Sequence, residues 1–210
     1  MLGASFEPDL SAWDAWHPSD VARNLAGVAA PWYVTAGWAL DLFQGRQTRD
    51  HDDIEISVSA HGFPAVRRAL SEFELYAIGA GLAHPLTPET LAATHQTWVR
   101  EPGTALWRLD VMREPWDGDT WVFRRDSRVR LPRTRVIAHT EDGIPYANPE
   151  IALLYKAKAV REKDEADFAT VLPLLGCSRR NWLSDALTLV HPGHRWLEAL
   201  RAGLTDTATR

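Results

Sequence analysis

The feature that most constrains the fold of this chain is a pair of acidic residues on a predicted strand, near the end of segment 33–58. Side chains on a strand alternate between its two faces, so Asp53 and Glu55 point to the same side. The opposite side is apolar enough to join a core and carries Ile54, Ile56 and Val58. Two like charges this close raise each other's proton affinity. The pattern therefore favours a cation bound between the two carboxylates.

The residues before the acidic pair predict a compact strand and helix. Residues 32–36 are mostly β-branched or aromatic, which indicates a strand. Gly37 interrupts this strand, and residues 38–43 predict a short helix that is closed by Gly45. A loop with arginine residues then leads to the acidic strand. The segment thus predicts a strand, a glycine turn, a helix, a loop and the acidic strand, in that order.

The remaining sequence predicts an α+β protein with two units. Further helices before residue 141 are predicted at 19–30 and 64–70, and further strands at 73–78, 96–100 and 105–112. The last two strands are joined by residues 101–104, whose Pro-Gly centre predicts a type II turn and therefore a hairpin. From Asn148 onward the apolar residues recur at helical spacing, with Asn148 and Pro149 as a start signal. We predict a small mixed sheet with flanking helices over residues 1–140, followed by a helical domain over residues 141–210.

A third carboxylate, Asp110, lies on the last of these strands. The apolar face of that strand holds Ala105, Trp107, Leu109 and Val111. Alternation therefore directs Asp110 away from the core. If its strand lies beside the acidic strand, about 5 Å away, the three carboxylates come together. Three oxygen donors without histidine or cysteine partners suit Mg²⁺ or Mn²⁺ rather than Zn²⁺, and two such ions can support displacement at phosphorus.

Gly37 adds a candidate phosphate site to these carboxylates. A glycine where a strand turns into a helix lets the backbone approach a phosphate, and the helix start offers free amides to it. A glycine turn alone is weak evidence. The acidic pair begins sixteen residues after Gly37, on the next predicted strand, and this combination is much more specific.

Composition narrows the class of protein. The chain has 210 residues, a formal net charge of -5 and a single cysteine, Cys177. The negative charge argues against non-specific binding to nucleic acid or to an anionic membrane. One cysteine excludes an internal disulfide framework and fits a reducing compartment. The sequence has neither an apolar run of membrane-spanning length nor a signal pattern. We expect a cytoplasmic enzyme, either a monomer or a homodimer.

Three segments resemble a known family. The segments are Ala36–Ile56, Leu109–Pro115 and Asn148–Phe168. Together they resemble the nucleotidyltransferases of the polymerase-β type, and among these the aminoglycoside 2''-adenylyltransferase-like group, with the lincosamide nucleotidyltransferases nearby. The first segment is the most specific. The resemblance implies the nucleotidyltransferase fold, with a mixed sheet, flanking helices and a C-terminal helical unit that closes over the substrate.

The resemblance also implies roles for individual residues. Asp53 and Glu55 correspond to the first two metal-binding carboxylates, and Asp110 to the third, which can also serve as general base. Gly37 and Trp38 correspond to the triphosphate-binding loop and helix start. Residues near them with a predicted role in nucleotide binding are Thr48 and Arg49. The second carboxylate of the family is usually aspartate, so Glu55 is a departure that bears on activity and metal preference.

Other residues have two interpretations each. Lys156, on a C-terminal helix, is predicted to reach a phosphate from the closing unit, although helix lysines are mostly solvated. Asp41 is expected on its own helix surface or paired with arginine, and Asp52 is expected on the core side of the acidic strand. Most tryptophans belong to the core, and those closest to Asp110 are candidates for stacking on adenine or a sugar: Trp98, Trp116 and Trp121.

The leading hypothesis is a metal-dependent adenylyltransferase. It transfers AMP from ATP to a hydroxyl of a small molecule, with aminoglycoside-like or lincosamide-like acceptors as candidates, and it releases pyrophosphate. This would place it among antibiotic-resistance enzymes. The alternative is a catalytically weak relative that binds nucleotide or a partner protein, as in a toxin–antitoxin pair. An RNA-directed enzyme is disfavoured by the negative charge and by the lack of a basic, aromatic-rich tract.

Overall fold

The computed structural model of the protein describes residues 4–202, and residues 203–210 of the predicted helical domain lie outside the described residues. The strands are β1 (Trp32–Val34), β2 (Glu55–Ser59), β3 (Glu74–Gly79), β4 (Leu82–Pro85), β5 (Gln96–Arg100), β6 (Trp107–Glu114), β7 (Trp116–Asp117), β8 (Thr120–Val122), β9 (Arg130–Pro132), β10 (Ile137–His139) and β11 (Pro145–Ala147). The helices are α1 (Pro18–Asn24), α2 (Ala36–Gln44), α3 (Phe63–Ala69), α4 (Pro88–Ala93), α5 (Arg133–Val136), α6 (Pro149–Lys156), α7 (Glu162–Val171), α8 (Cys177–Val190) and α9 (Trp196–Ala202).

The main sheet is mixed and has eight strands in the order β10-β11-β1-β2-β6-β5-β3-β4. β2 runs parallel to β6, and β1 runs parallel to β11, while the other pairs are antiparallel. A separate antiparallel sheet consists of β7, β8 and β9. The predicted α+β architecture is confirmed, and the adjacency of β2 and β6 places the acidic strand directly beside the strand of Asp110.

The hairpin of β5 and β6 forms because the sequence between the two strands favours a tight turn. The amide of Thr104 donates to the carbonyl of Glu101 at 3.3 Å, which closes a four-residue turn. Gly103, its third residue, has a φ of 72°, a conformation that glycine adopts without steric cost. The predicted hairpin is confirmed, and it fixes which residues of β6 face the same side as Asp110.

The junction between β1 and α2 differs from its prediction. β1 ends at Val34 and α2 already begins at Ala36, so Gly37 lies inside the first turn of the helix and not before it. The reversal occurs at Ala36, whose φ of 55° is unusual for a residue other than glycine. Gly45 closes α2 with a φ of 69°, as expected.

One continuous core joins the main sheet to the C-terminal helices. It includes side chains from β1, β2 and β6, as well as from α6, α8 and α9, which all lie in a single buried cluster. α6 packs against both α2 and α8. β11, which follows residue 140, also pairs with β1. The division at residue 140 stays a prediction, and α6 is the helix that covers the region around β2. None of the helices among residues 4–202 is long and apolar enough to cross a membrane.

Candidate active site

Glu55 and Asp110 are direct neighbours across the parallel strands β2 and β6. Their Cα atoms are register partners. Asp53 lies two residues before Glu55, just outside the regular strand, where its side chain is exposed. Its charge reaches the other two carboxylates, because it contributes to the raised pKa of each. The fold thus places Glu55 and Asp110 side by side as the inner pair, with Asp53 at the exposed margin of the site.

The inner pair carries more negative charge than its surroundings compensate. Burial, then the charge of Glu55, raises the pKa of Asp110 well above its usual value. Burial, then the charge of Asp53, raises the pKa of Glu55 to about 7, although Lys156 and Arg161 act in the opposite direction. The two strands therefore hold carboxyl groups whose ionised forms would be favoured by a bound cation.

Asp110 also has an unsatisfied acceptor. Its Oδ2 accepts a hydrogen bond from Nε2 of Gln96 at 2.5 Å. Its Oδ1 is buried and has no hydrogen-bond partner among the described residues. A buried carboxylate oxygen without a partner is costly, and such groups often mark a ligand or ion site. Oδ1 of Asp110 is therefore free to coordinate a cation beside Glu55.

This donor set fits Mg²⁺ or Mn²⁺ only with additional ligands. Within residues 4–202, no group of three or more His, Cys, Asp or Glu side chains is arranged to hold a metal ion. Mg²⁺ is commonly held by one or two carboxylates, with water and substrate phosphate completing its shell. The raised proton affinities of Glu55 and Asp110 favour an added cation, and the free Oδ1 of Asp110 can serve as one of its ligands. The residues fit an ion that arrives together with its phosphate substrate.

Gly37 is required by the loop that follows α2. A Cβ atom at this position would lie 2.7 Å from Cε1 and 2.8 Å from Nδ1 of His51, and closer still to Nη2 of Arg49. Real Cβ contacts are not that short, so a larger residue would displace both side chains. The loop therefore packs directly onto the first turn of α2, at the position that was predicted to hold phosphate.

Asp41 fixes the same loop from inside α2. The side chain is buried and accepts from the Thr48 hydroxyl at 2.5 Å, and its Oδ2 lies 2.6 Å from Nε2 of His51. Trp38 stacks on the His51 ring at a centroid distance of 4.5 Å. The prediction that Asp41 pairs with arginine or faces the helix surface was wrong, because its buried carboxylate contacts His51 and Thr48 of the loop instead. Thr48 uses its hydroxyl in this contact.

An ion cluster with a buried centre and an exposed Arg161 connects the loop after α2 to α6 and α7. Nζ of Lys156 lies 2.7 Å from Oδ1 of Asp164 and 2.9 Å from Oδ2 of Asp167. Arg49 donates to Asp167 from Nε at 3.1 Å, and Arg161 donates to Asp164 from Nε at 2.8 Å. Lys156 is only 7% exposed, so it is not an ordinary solvated helix lysine. We call these five residues the ion cluster.

Local sequence patterns indicate only part of the ion cluster. Asp164, in the first turn of α7, accepts from the backbone amide of Arg161 at 3.0 Å, a helix-capping contact that local sequence can indicate. Arg49 and Asp167 are separated by 118 residues, and no local pattern indicates their pairing. Asp52, expected on the core side of its strand, is instead exposed and lies 3.5 Å from Lys163. The reason is that the regular strand begins only at Glu55.

Two cavities meet at Glu55. The inner cavity, about 70 Å³, lies at the first turn of α2 and is lined by Gly37, Trp38, Arg49, Asp53 and Lys163, among others. The outer cavity, about 250 Å³, continues along β2 and β6 under α6. Both are lined by Thr35, Ala36, Glu55, Lys156 and Arg161. Glu55 therefore lies where a polar, partly cationic cavity opens into a larger one, while Asp110, buried beside it, lines neither cavity.

Glu114 is a site residue that the sequence reasoning missed. It lies four residues after Asp110 on the same face of β6 and lines the outer cavity. Its Oε2 accepts from the hydroxyl of Tyr155 at 2.6 Å, and its Oε1 lies 3.4 Å from Nε of Arg124. Burial raises its pKa. The period of two along β6, which identified Asp110, also leads to Glu114.

The tryptophans proposed for stacking do not line either cavity. Trp121 is fully buried and contacts Phe123 and Tyr155. Trp98 packs against Trp107 in a second apolar cluster. The aromatic side chain that does line the outer cavity is that of Tyr155.

The chain resembles known proteins in part of its sequence and in its fold. A family model described as Aminoglycoside-2''-adenylyltransferase matches residues 19–80. No curated protein matches the chain. A crystal structure of the lincosamide antibiotic adenylyltransferase LnuA with lincomycin superimposes with a TM-score of 0.53 at 16% identity, over 75% of this chain and 95% of that chain. A crystal structure of ANT(2'')-Ia with adenylyl-2''-tobramycin gives a TM-score of 0.48 at 14% identity, over 91% of this chain and 96% of that chain.

Proposed function

We propose that this chain transfers AMP from ATP to a hydroxyl of a small antibiotic-like acceptor. As predicted, it resembles the aminoglycoside and lincosamide nucleotidyltransferase group, and the family match and the shared fold support the proposal. The observation that carries the proposal is the pairing of Glu55 with Asp110 beside the first turn of α2. A family match over residues 19–80 includes α2 and the acidic strand.

The inner cavity is the proposed site of the triphosphate. The first turn of α2 presents backbone amides that lack helical partners, and such amides favour anions. Four cationic side chains also line the inner cavity: Arg49, Lys156, Arg161 and Lys163. The charge of a triphosphate would be distributed over these groups. This positioning is the main contribution that a protein makes to reactions at phosphorus.

Asp53, Glu55 and Asp110 would hold the divalent cation, with substrate phosphate and water as its other ligands. When bound, Mg²⁺ neutralises charge on the phosphate oxygens and lowers the cost of displacement at phosphorus. The chain's own contribution is to hold two carboxylates in register on adjacent strands, so that their positions are fixed by the sheet.

Asp110 is the proposed general base. Its carboxylate, ionised once a cation offsets the neighbouring charge of Glu55, would accept the proton of an acceptor hydroxyl within hydrogen-bond reach. The acceptor oxygen forms a bond to the α-phosphorus of ATP, the bond from that phosphorus to the bridging oxygen breaks, and pyrophosphate leaves with the electron pair. The hydroxyl proton passes to the carboxylate of Asp110. The products are an adenylylated acceptor and pyrophosphate.

Pyrophosphate release tests this proposal. The protein is incubated with ATP, Mg²⁺ and a panel of aminoglycosides, lincosamides and simple polyols, and initial rates are compared with those of Asp53→Asn and Asp110→Asn. Removing a metal ligand or a catalytic base is expected to lower kcat by at least about a hundredfold. Asp119→Asn, an exposed carboxylate away from the cavities, serves as the matched control and is expected to retain full activity.

Calorimetry separates the main proposal from its alternative, a catalytically weak nucleotide-binding relative. If ATP binds in the absence of Mg²⁺ as tightly as in its presence and no acceptor supports turnover, the alternative holds. An acceptor of the antibiotic class would connect the protein with drug resistance, which a growth assay of cells expressing the chain would measure.

A further inference from the structure

The outer cavity has a cationic end that the transfer of AMP does not require. At one end the cavity contains Glu55, where the reaction is proposed. The cavity is also lined by Glu114, four residues further along β6 than Asp110, and by three basic residues: Arg124, Arg125 and Lys158. We call these four residues the far end. Any acceptor whose hydroxyl reaches Glu55 and Asp110 from this cavity has the rest of its structure near the far end.

The charges of the far end do not balance. Glu114 is the one carboxylate there, and it already accepts from Tyr155 and pairs with Arg124. Arg125 donates from Nη1 to the backbone carbonyl of Tyr155 at 2.7 Å and lies over the Tyr155 ring, but it forms no ion pair among residues 4–202. Lys158 is exposed and likewise has no carboxylate partner in that part of the chain. Three cations therefore face a single carboxylate.

Neighbouring groups respond to this excess positive charge. Burial lowers the pKa of His191, and Arg125 and Lys158 lower it further. Burial also lowers the pKa of His95, and Arg124 contributes in the same direction. The pKa of Arg125 itself is lowered by burial and then by Arg124, although Tyr155, Glu114 and Glu55 act in the opposite direction. Three groups on different segments thus indicate a positive potential at the far end.

The distance between the two ends suits a small acceptor. Glu114 pairs in register with Ser59, as Asp110 does with Glu55, so four residues separate the two positions along β6. At about 3.3 Å per residue this separation is about 13 Å. A cavity of about 250 Å³ admits a molecule of the size of one or two sugar rings. A group on the side of the acceptor opposite the reacting hydroxyl would therefore contact the far end.

We propose that the far end binds an anionic group, a carboxylate or a phosphate, on the hydroxyl acceptor, so that the preferred acceptor is an anionic hydroxyl compound and not a polycation. This inference rests on the proposed function and narrows its substrate class. A polycationic acceptor would place further positive charges beside Arg125 and Lys158, and such like-charge contacts disfavour a ligand. An anionic group would pair with two cations that lack carboxylate partners.

The test uses matched acceptors and measures binding separately from turnover. Glucose 6-phosphate and glucose are titrated into the protein in the presence of a nonhydrolysable ATP analogue and Mg²⁺, and tobramycin serves as the polycation. The phosphorylated sugar is expected to bind at least about tenfold more tightly than glucose, and tobramycin not to bind more tightly than glucose. The double variant Arg125→Gln and Lys158→Gln is expected to lose this preference while it retains its affinity for the ATP analogue.

Controls distinguish the possible failures. Arg128→Gln removes a nearby exposed arginine that pairs with Asp126, and it is expected to leave the preference unchanged. Equal binding of the two sugars, or a preference that survives in the double variant, would overturn the inference. So would a loss of affinity for the ATP analogue in that variant, because the far end would then serve the nucleotide. A preference for the anionic sugar without pyrophosphate release from any acceptor would contradict the proposed function and leave the anion site intact.

Discussion

Replacing Glu55 with Gln is expected to make the protein more stable at alkaline pH while it impairs catalysis. Burial and the charge of Asp53 raise the pKa of Glu55 from 4.5 to about 7. A difference of one in pKa corresponds to about 1.4 kcal/mol between the two protonation states. The raised proton affinity is shared with Asp110, which interacts with Glu55. We therefore expect the ionised Glu55 to cost about 2 to 3 kcal/mol of folding free energy.

The pH dependence of this cost has a definite sign. The folded protein binds the proton of Glu55 more tightly than the unfolded chain does, because the folded pKa is the higher one. The contribution to stability is therefore complete below the ordinary value of 4.5, and it is lost as the pH rises through about 7. Glutamine is neutral throughout and resembles the protonated acid. The variant should match the wild type at about pH 4 and exceed it at about pH 8.

Urea unfolding with a chelator present measures the effect without bound metal. The free energy of unfolding of Glu55→Gln is compared with that of the wild type at both pH values. Glu72→Gln, which changes an exposed glutamate, is the matched control and should differ little from the wild type at either pH. The destabilising role of ionised Glu55 would be refuted if Glu55→Gln were equally or less stable than the wild type at about pH 8, or if its gain were the same at both pH values.

Four further substitutions test the surroundings of the site. Asp167→Asn leaves the buried Lys156 with one carboxylate fewer, and we expect the free energy of unfolding in urea to fall by about 2 to 4 kcal/mol. A decrease below about 0.5 kcal/mol would contradict a stabilising role for the ion cluster. Ala36→Gly removes the strain of a left-handed alanine and should raise Tm by up to about 3 °C. Gly45→Ala places an alanine in a left-handed conformation and should lower Tm. Equal shifts in Tm for the two variants would contradict the left-handed conformation of these two residues. Gly37→Ala forces His51 to move, so it should lower the free energy of unfolding by about 1 to 3 kcal/mol and raise the KM for ATP. An unchanged free energy of unfolding together with an unchanged KM would contradict the packing of the loop on α2.

The main architecture could be predicted from sequence because it depends on local patterns. Alternation along β2 and β6 identified the faces on which Glu55 and Asp110 lie. The Pro-Gly turn identified the hairpin whose second strand carries Asp110. Gly45 indicated the end of α2, and Asn148 with Pro149 indicated the start of α6. Each of these features is determined by a few adjacent residues and by the geometry of a strand, a turn or a helix end.

The rest of the site depends on contacts between distant segments. The burial of Lys156 results from α7 and the loop after α2 meeting over it, and neither segment indicates the other. The left-handed conformation of Ala36 is imposed by the tight passage from β1 into α2, against the preference of alanine. The alternation along β6 that identified Asp110 also places Glu114 on the same face. The sequence does not indicate that Glu114 lies in the site, because this depends on its contacts with Tyr155 and Arg124.

Mass spectrometry of the acceptor tests the proposed transfer of AMP most directly. An acceptor that supports pyrophosphate release is incubated with ATP and Mg²⁺, and with either the wild type or Asp110→Asn. We predict that the wild type converts the acceptor to a species heavier by one adenylyl group, attached at a hydroxyl, and that Asp110→Asn does so at least about a hundredfold more slowly. Adenylylation by Asp110→Asn at the wild-type rate, or consumption of ATP without a heavier acceptor, would contradict the proposed transfer.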